Sequence, residues 1–141
     1  MPGQTIGRPA GGDRITRRAA AGRVGEVMDR LQAEVEAAGL RVFARVDHGG
    51  GAAKVAMALG DAELLVFGHP MLGTPAMQAD PLAGLYLPVR VLAYQDAEGA
   101  VWLAYENPVR TFDHLAVPDD ADVVGKLSDT LGKLTAMAAG G

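Results

Sequence analysis

Apolar and polar positions repeat along this chain with two different periods. From Arg23, the apolar residues Val24, Val27, Met28, Leu31, Val35 and Ala38 recur at helical spacing, with Asp29, Arg30, Gln32, Glu34 and Glu36 between them. That spacing predicts an amphipathic helix ended by Gly39 as its C′ residue. A second helix is predicted near the C-terminus. There Val123, Val124, Leu127, Leu131 and Leu134 form a stripe, and Asp119 and Asp120 offer an N-cap and a negative first turn. Period two marks the strands. Residues 41–48 place Val42, Ala44 and Val46 on one face, and Gly49, Gly50 and Gly51 break the run. Leu64-Leu65-Val66-Phe67 does not alternate and reads as a central strand buried on both faces. Residues 89–95 and 100–105 read as a hairpin through Asp96-Ala97-Glu98-Gly99, with Gly99 free to take a positive φ. In its second strand Val101, Leu103 and Tyr105 share a face and Trp102 lies on the other.

Weaker patterns complete the order. Residues 13–20 hold a short first strand around Ile15, and residues 52–59 suit a short helix ended by Gly60. Residues 68–88 carry four prolines and three glycines. They read as a long ordered loop with helical turns at most at 76–78 and 82–85. Residues 109–117 read as irregular. The result is an α+β domain: a single antiparallel or mixed sheet of about five strands with two long helices packed on one face. It is expected over residues 13–137, after a flexible leader at 1–12 and before a frayed tail at 138–141.

Composition narrows the function. The 141 residues suit one domain. Thirteen basic against seventeen acidic side chains leave a charge of −4, and aromatics are scarce, so no nucleic-acid partner is expected. The absence of cysteine removes disulfides, thiolate chemistry and cysteine zinc sites. No apolar run approaches the roughly 18 residues of a membrane span, and the leader lacks a signal-peptide core. No membrane partner and a cytoplasmic location are therefore expected.

The candidate chemistry centres on three histidines, His48, His69 and His114, each at a strand end or in the loop after one. Three imidazoles with an open position suit a catalytic metal, so these are the candidate ligands if any metal is held, although none is expected. The plainer reading has His48 bonding a loop, His69 capping a turn before Pro70, and His114 at the surface. His48 or His69 is also a candidate general acid or base. In the proline-rich segment, Gly73-Thr74-Pro75 permits close backbone approach and supplies a hydroxyl, beside an adaptable apolar wall of Met71, Leu72 and Met77. Tyr86, Tyr94 and Tyr105 are amphipathic, and one is expected to turn its hydroxyl into a pocket. Arg90 reads as a solvated strand residue, with an anion contact as the alternative. Ser128 is the lone serine and sits in a helix, so no nucleophilic triad is visible.

Longer motifs carry a resemblance. Phe43-Ala44-Arg45-Val46-Asp47-His48, Phe67-Gly68-His69-Pro70-Met71-Leu72-Gly73-Thr74-Pro75, Met77-Gln78-Ala79-Asp80-Pro81 and Leu85-Tyr86-Leu87-Pro88-Val89-Arg90 occur in that order. The hairpin and Asn107-Pro108 follow. Together they closely resemble the DUF302 family, a domain family of unknown function, over roughly residues 15–117. The resemblance implies a TATA-binding-protein-like β-α-β(4)-α fold and a tendency to dimerise, and brings no established reaction or cofactor. It matches His48 and His114 to family histidines, whereas His69 stands where the family has Asn in a Gly-Asn-Pro motif. The expectation is a small-molecule-binding homodimer whose pocket draws on His48, His69, Pro70, Gly73, Thr74 and His114. The alternatives are a His-dependent enzyme, with or without the help of a metal, and a purely structural or dimerisation module.

Overall fold

The computed structural model describes residues 14–140. The leader expected at residues 1–12 lies outside them. In chain order the elements are β1 (Ile15–Ala20), α1 (Val24–Ala37), β2 (Arg41–Asp47), α2 (His48–Lys54) and β3 (Ala62–Gly68). Then follow α3 (Pro70–Ala79), a 3₁₀ turn (Pro81–Tyr86), β4 (Val89–Gln95), β5 (Val101–Glu106), α4 (Pro108–Thr111) and α5 (Asp122–Ala138). The strands form one antiparallel sheet in the order β1-β5-β4-β3-β2. The fold is α+β.

The apolar stripe of α1 is fully buried: Val24, Val27, Met28, Leu31 and Val35 are at most 1% exposed. They pack on Leu65, Phe67, Val91, Ala93 and Leu103 from the sheet and on Leu131, Leu134 and Ala138 of α5. A second cluster lies beyond the first, where Val123, Val124 and Leu127 of α5 meet Ala76 of α3, Ala83 of the 3₁₀ turn, Phe112 and Val117. Helix α5 thus runs past both. Its end is tied down: Ala138 and Ala139 are buried, Ala21 N–H donates to the Ala139 carbonyl, and Arg30 holds the Ala138 carbonyl. The tail expected to fray from Ala138 instead begins inside the core.

Several local expectations change. A bulge in β2 sets Val42 opposite Phe67 and Ala44 opposite Val66, with Phe43 extra between them. The extra residue reverses the alternation, so Val42 packs on the core while Ala44 and Val46 turn outward. Strand β3 is central, but Leu64 and Val66 on its other face are only half-buried. Gly49, Gly50 and Gly51 end β2 by entering α2, because the Asp47 carboxylate accepts the Gly50 N–H at 2.8 Å and caps that helix. Helix α5 is capped at Ala121, one residue past the expected aspartates. The hairpin stands as read, with Gly99 at φ +89°.

Candidate functional site

The largest change concerns the segment expected to be a loop at residues 68–88, where α3 and the 3₁₀ turn occupy 70–79 and 81–86. Pro70 occupies the first position of α3, where no backbone donor is needed, and Pro81 does the same for the 3₁₀ turn. His69 caps α3: its Nδ1 accepts the Met71 N–H at 3.0 Å. Asp80 closes the far end and starts the turn. Its carboxylate accepts the N–H groups of Leu82 and Ala116, both at 3.0 Å. These two bonds hold the Asp80 carboxyl below its ordinary value.

Between α3, the Leu87-Pro88 segment, the β2 bulge and α5 lies a groove of about 350 Å³. His69, Pro70, Gly73 and Thr74 line it together, four of the six residues expected to bind a ligand. Gly73 is there for contact distance: a Cβ would sit 3.2 Å from Leu87 Cδ1 and press α3 away from that wall. Leu72, Met77, Leu87, Val89, Leu127 and Leu131 supply most of the apolar surface. Phe43, the extra residue of the bulge, is 48% exposed and forms the rim. Among the described residues the polar side chains of the lining are His69, Thr74 and Thr130, with no charged group. Because the His69 Nδ1 lone pair is committed to Met71, the neutral ring carries its proton on Nε2 and offers a donor.

The other two histidines lie elsewhere. His48 opens α2, is exposed, and is not part of the groove lining. The neighbouring Asp47 carboxylate serves the α2 cap. His114 is also absent from the lining. Its Nε2 is 2.9 Å from the Tyr86 hydroxyl, the rings meet edge to face, and the Asp113 carboxylate is 3.6 Å from Nδ1. Among the described residues no group of three or more His, Asp or Glu side chains is placed to hold a metal ion, so the three imidazoles do not assemble into one. Phe43, Leu87 and Thr130 escaped the sequence reading. Thr130 is three residues after Leu127 and beside the α5 stripe, which was the one available signal.

Fold and groove define an α+β domain with a preformed, mostly apolar hollow between a helix pair and the sheet end. The chain belongs to the family described as "Domain of unknown function DUF302", whose model matches residues 15–138. A solved DUF302 protein from Bacillus stearothermophilus has the same fold. It superposes with a TM-score of 0.79 over 88% of this chain and 97% of its own, at 14% identity. Relatives in Brucella suis and Brucella abortus are 39% identical over 118 residues, 83% of this chain. Both are named "Fluoride-specific ion channel FluC 1". The match spans only 46% and 44% of those proteins, so this chain covers less than half their length. These names overturn the exclusion of a membrane partner drawn from the sequence, because ion channels are membrane proteins. Among the described residues no helix is long and apolar enough to cross a membrane.

Proposed function

We propose that this domain is a binding module that takes a small, largely apolar molecule with one hydrogen-bond acceptor into the α3–α5 groove. The observation that carries this reading is the composition of the lining: an apolar wall, no charged side chain among the described residues, and one imidazole donor fixed by its own helix cap. A few placed polar groups in an apolar hollow of this size are the usual make-up of a small-molecule site. General-base catalysis gains no support there. His69 has one nitrogen committed to Met71, and among the described residues no carboxylate lines the groove to orient it. Acetophenone, an apolar ring with one carbonyl, is a suitable probe. It is expected to shift the amide resonances of Gly68, Leu72 and Gly73 saturably, and Thr130→Phe is expected to abolish the effect by filling the groove. Shifts scattered over the surface, or unchanged in Thr130→Phe, would remove the proposal.

In the channel-named relatives we assign the channel activity to the part that this chain does not match. The supporting observations are the partial coverage and the absence, among the described residues, of a helix able to cross a membrane. The domain then acts as a ligand-responsive companion to that part. Fluoride efflux from liposomes tests this. Liposomes reconstituted with this chain alone are expected to leak no faster than empty ones, and fluoride-selective efflux from them would refute the assignment.

A further inference from the structure

A second hollow, independent of the groove reading, opens through the sheet itself. Strands β4 and β5 pair only from Leu92↔Ala104 to Gln95↔Val101. Beyond that point β4 continues to pair with β3 through Val89↔Phe67, and β5 with β1 through Glu106↔Ile15. The two central strands therefore part company while each keeps its outer neighbour, leaving a cleft of about 380 Å³. Its polar lining is unlike that of the groove: Arg17, Arg90, Glu106, Thr111 and the three tyrosines Tyr86, Tyr94 and Tyr105.

The charges there are unequally committed. Glu106 is already neutralised, with one oxygen accepting from Arg14 at 3.0 Å and the other from the Thr111 hydroxyl at 2.8 Å. Asp96, the carboxylate whose field reaches Arg17, accepts from the Trp102 indole N–H at 2.8 Å and from turn amides. Arg17 stacks on the Trp102 ring at 4.1 Å and donates through Nη1 to the Tyr94 hydroxyl at 2.6 Å. Its Nε is buried with no hydrogen-bond partner among the described residues. Stacking and the Tyr94 bond fix the guanidinium plane and leave the Nε–Nη2 edge, the pair of parallel donors that matches a carboxylate. Arg90, exposed on β4, lines the same cleft and adds a second positive charge to it. Leu64, Leu92 and Phe112 supply apolar surface for the rest of a ligand.

We infer that this cleft is a binding site for a small aromatic carboxylate, its carboxyl held by Arg17 and Arg90 and its ring lying among the tyrosines and leucines. The single tryptophan of the chain is Trp102, directly against Arg17, so its fluorescence reports on the site. Benzoate is the probe and benzamide its neutral counterpart. Benzoate is expected to change Trp102 emission saturably and less tightly as salt is raised, with benzamide at least tenfold weaker. Arg90→Gln, at an exposed position, is expected to fold normally and to weaken benzoate at least tenfold. Arg17→Lys, which keeps the charge and loses the fork, is expected to do the same. Thr130→Phe, which blocks only the other hollow, should leave benzoate binding unchanged. No saturable response, equal binding of benzamide, or full affinity in Arg90→Gln would each overturn the assignment.

Discussion

At His69 one side chain both caps a helix and lines the groove, and the choice of replacement separates the two roles. Asn keeps a short acceptor for the Met71 N–H and is among the best N-cap residues; Ala has none. In urea unfolding, His69→Ala is expected to lose about 1 kcal/mol, whereas His69→Asn stays within about 0.5 kcal/mol of the parent. Equal losses in the two variants would show that the cap contributes nothing. Asp80 and Asp96 act at the same scale through charge. Hydrogen bonds from Ala116 and Leu82 to Asp80, and from the Trp102 indole and turn amides to Asp96, hold both carboxyls below their ordinary value. A depressed carboxyl stabilises the fold fully above its unfolded value and stops doing so as pH falls through the folded one. Thermal stability should therefore decline as pH drops through and below the ordinary carboxylate range. Asp80→Asn, which cannot accept from both amides, should be less stable at neutral pH and show a shallower acid slope. An unchanged slope would show that Asp80 does not contribute to it.

At the scale of elements, the β2 bulge decides which residues face the core. With Phe43 inserted, Val42 packs beside Phe67 while Ala44 lies opposite Val66 on the exposed side. Val42→Asp should cost at least about 2 kcal/mol, since it places an unpaired charge against the core. Ala44→Asp should cost less than about 1 kcal/mol. Similar losses in chemical denaturation would restore the unbroken alternation. This element also shows what the sequence makes legible. Helices α1 and α5 announce themselves because each buries one stripe, and the β4–β5 hairpin because its turn needs Gly99. Helix α3 stays hidden because prolines at 70, 75 and 81 read as breakers, although two of them sit at first positions, where a backbone N–H would have no acceptor inside the helix. The α3 wall of the groove, His69 to Thr74, is readable because it is contiguous. Phe43, Leu87 and Thr130 come from β2, the connection before β4 and α5, and the splaying of β4 from β5 leaves no local signature at all.

At the scale of the whole molecule, α5 links two core clusters that follow one another along its length, the second on its first half and the first on its last half. Leu127 belongs to the second cluster and Leu131, one turn later, to the first, while Val89 packs against both. The groove and the sheet cleft both lie along this seam and share Val89, Leu127 and Leu131 as wall residues. The seam is where packing has to satisfy two cores at once, which is a physical reason for hollows to collect there. Shared side chains also tie the clusters together, so neither should melt alone. Leu31→Ala in the first cluster removes a fully buried side chain and is expected to cost about 2–5 kcal/mol. Phe112→Ala in the second is expected to cost about 3–5 kcal/mol. Both should lower the midpoint of one shared urea transition and leave its slope unchanged, because the same surface is exposed on unfolding. A biphasic curve in Phe112→Ala, with the Trp102 signal lost only in the later step, would instead mean that the α3–α4 half opens on its own. The groove would then sit on a separately folding layer, and ligand capture there would stabilise that layer without stabilising the sheet.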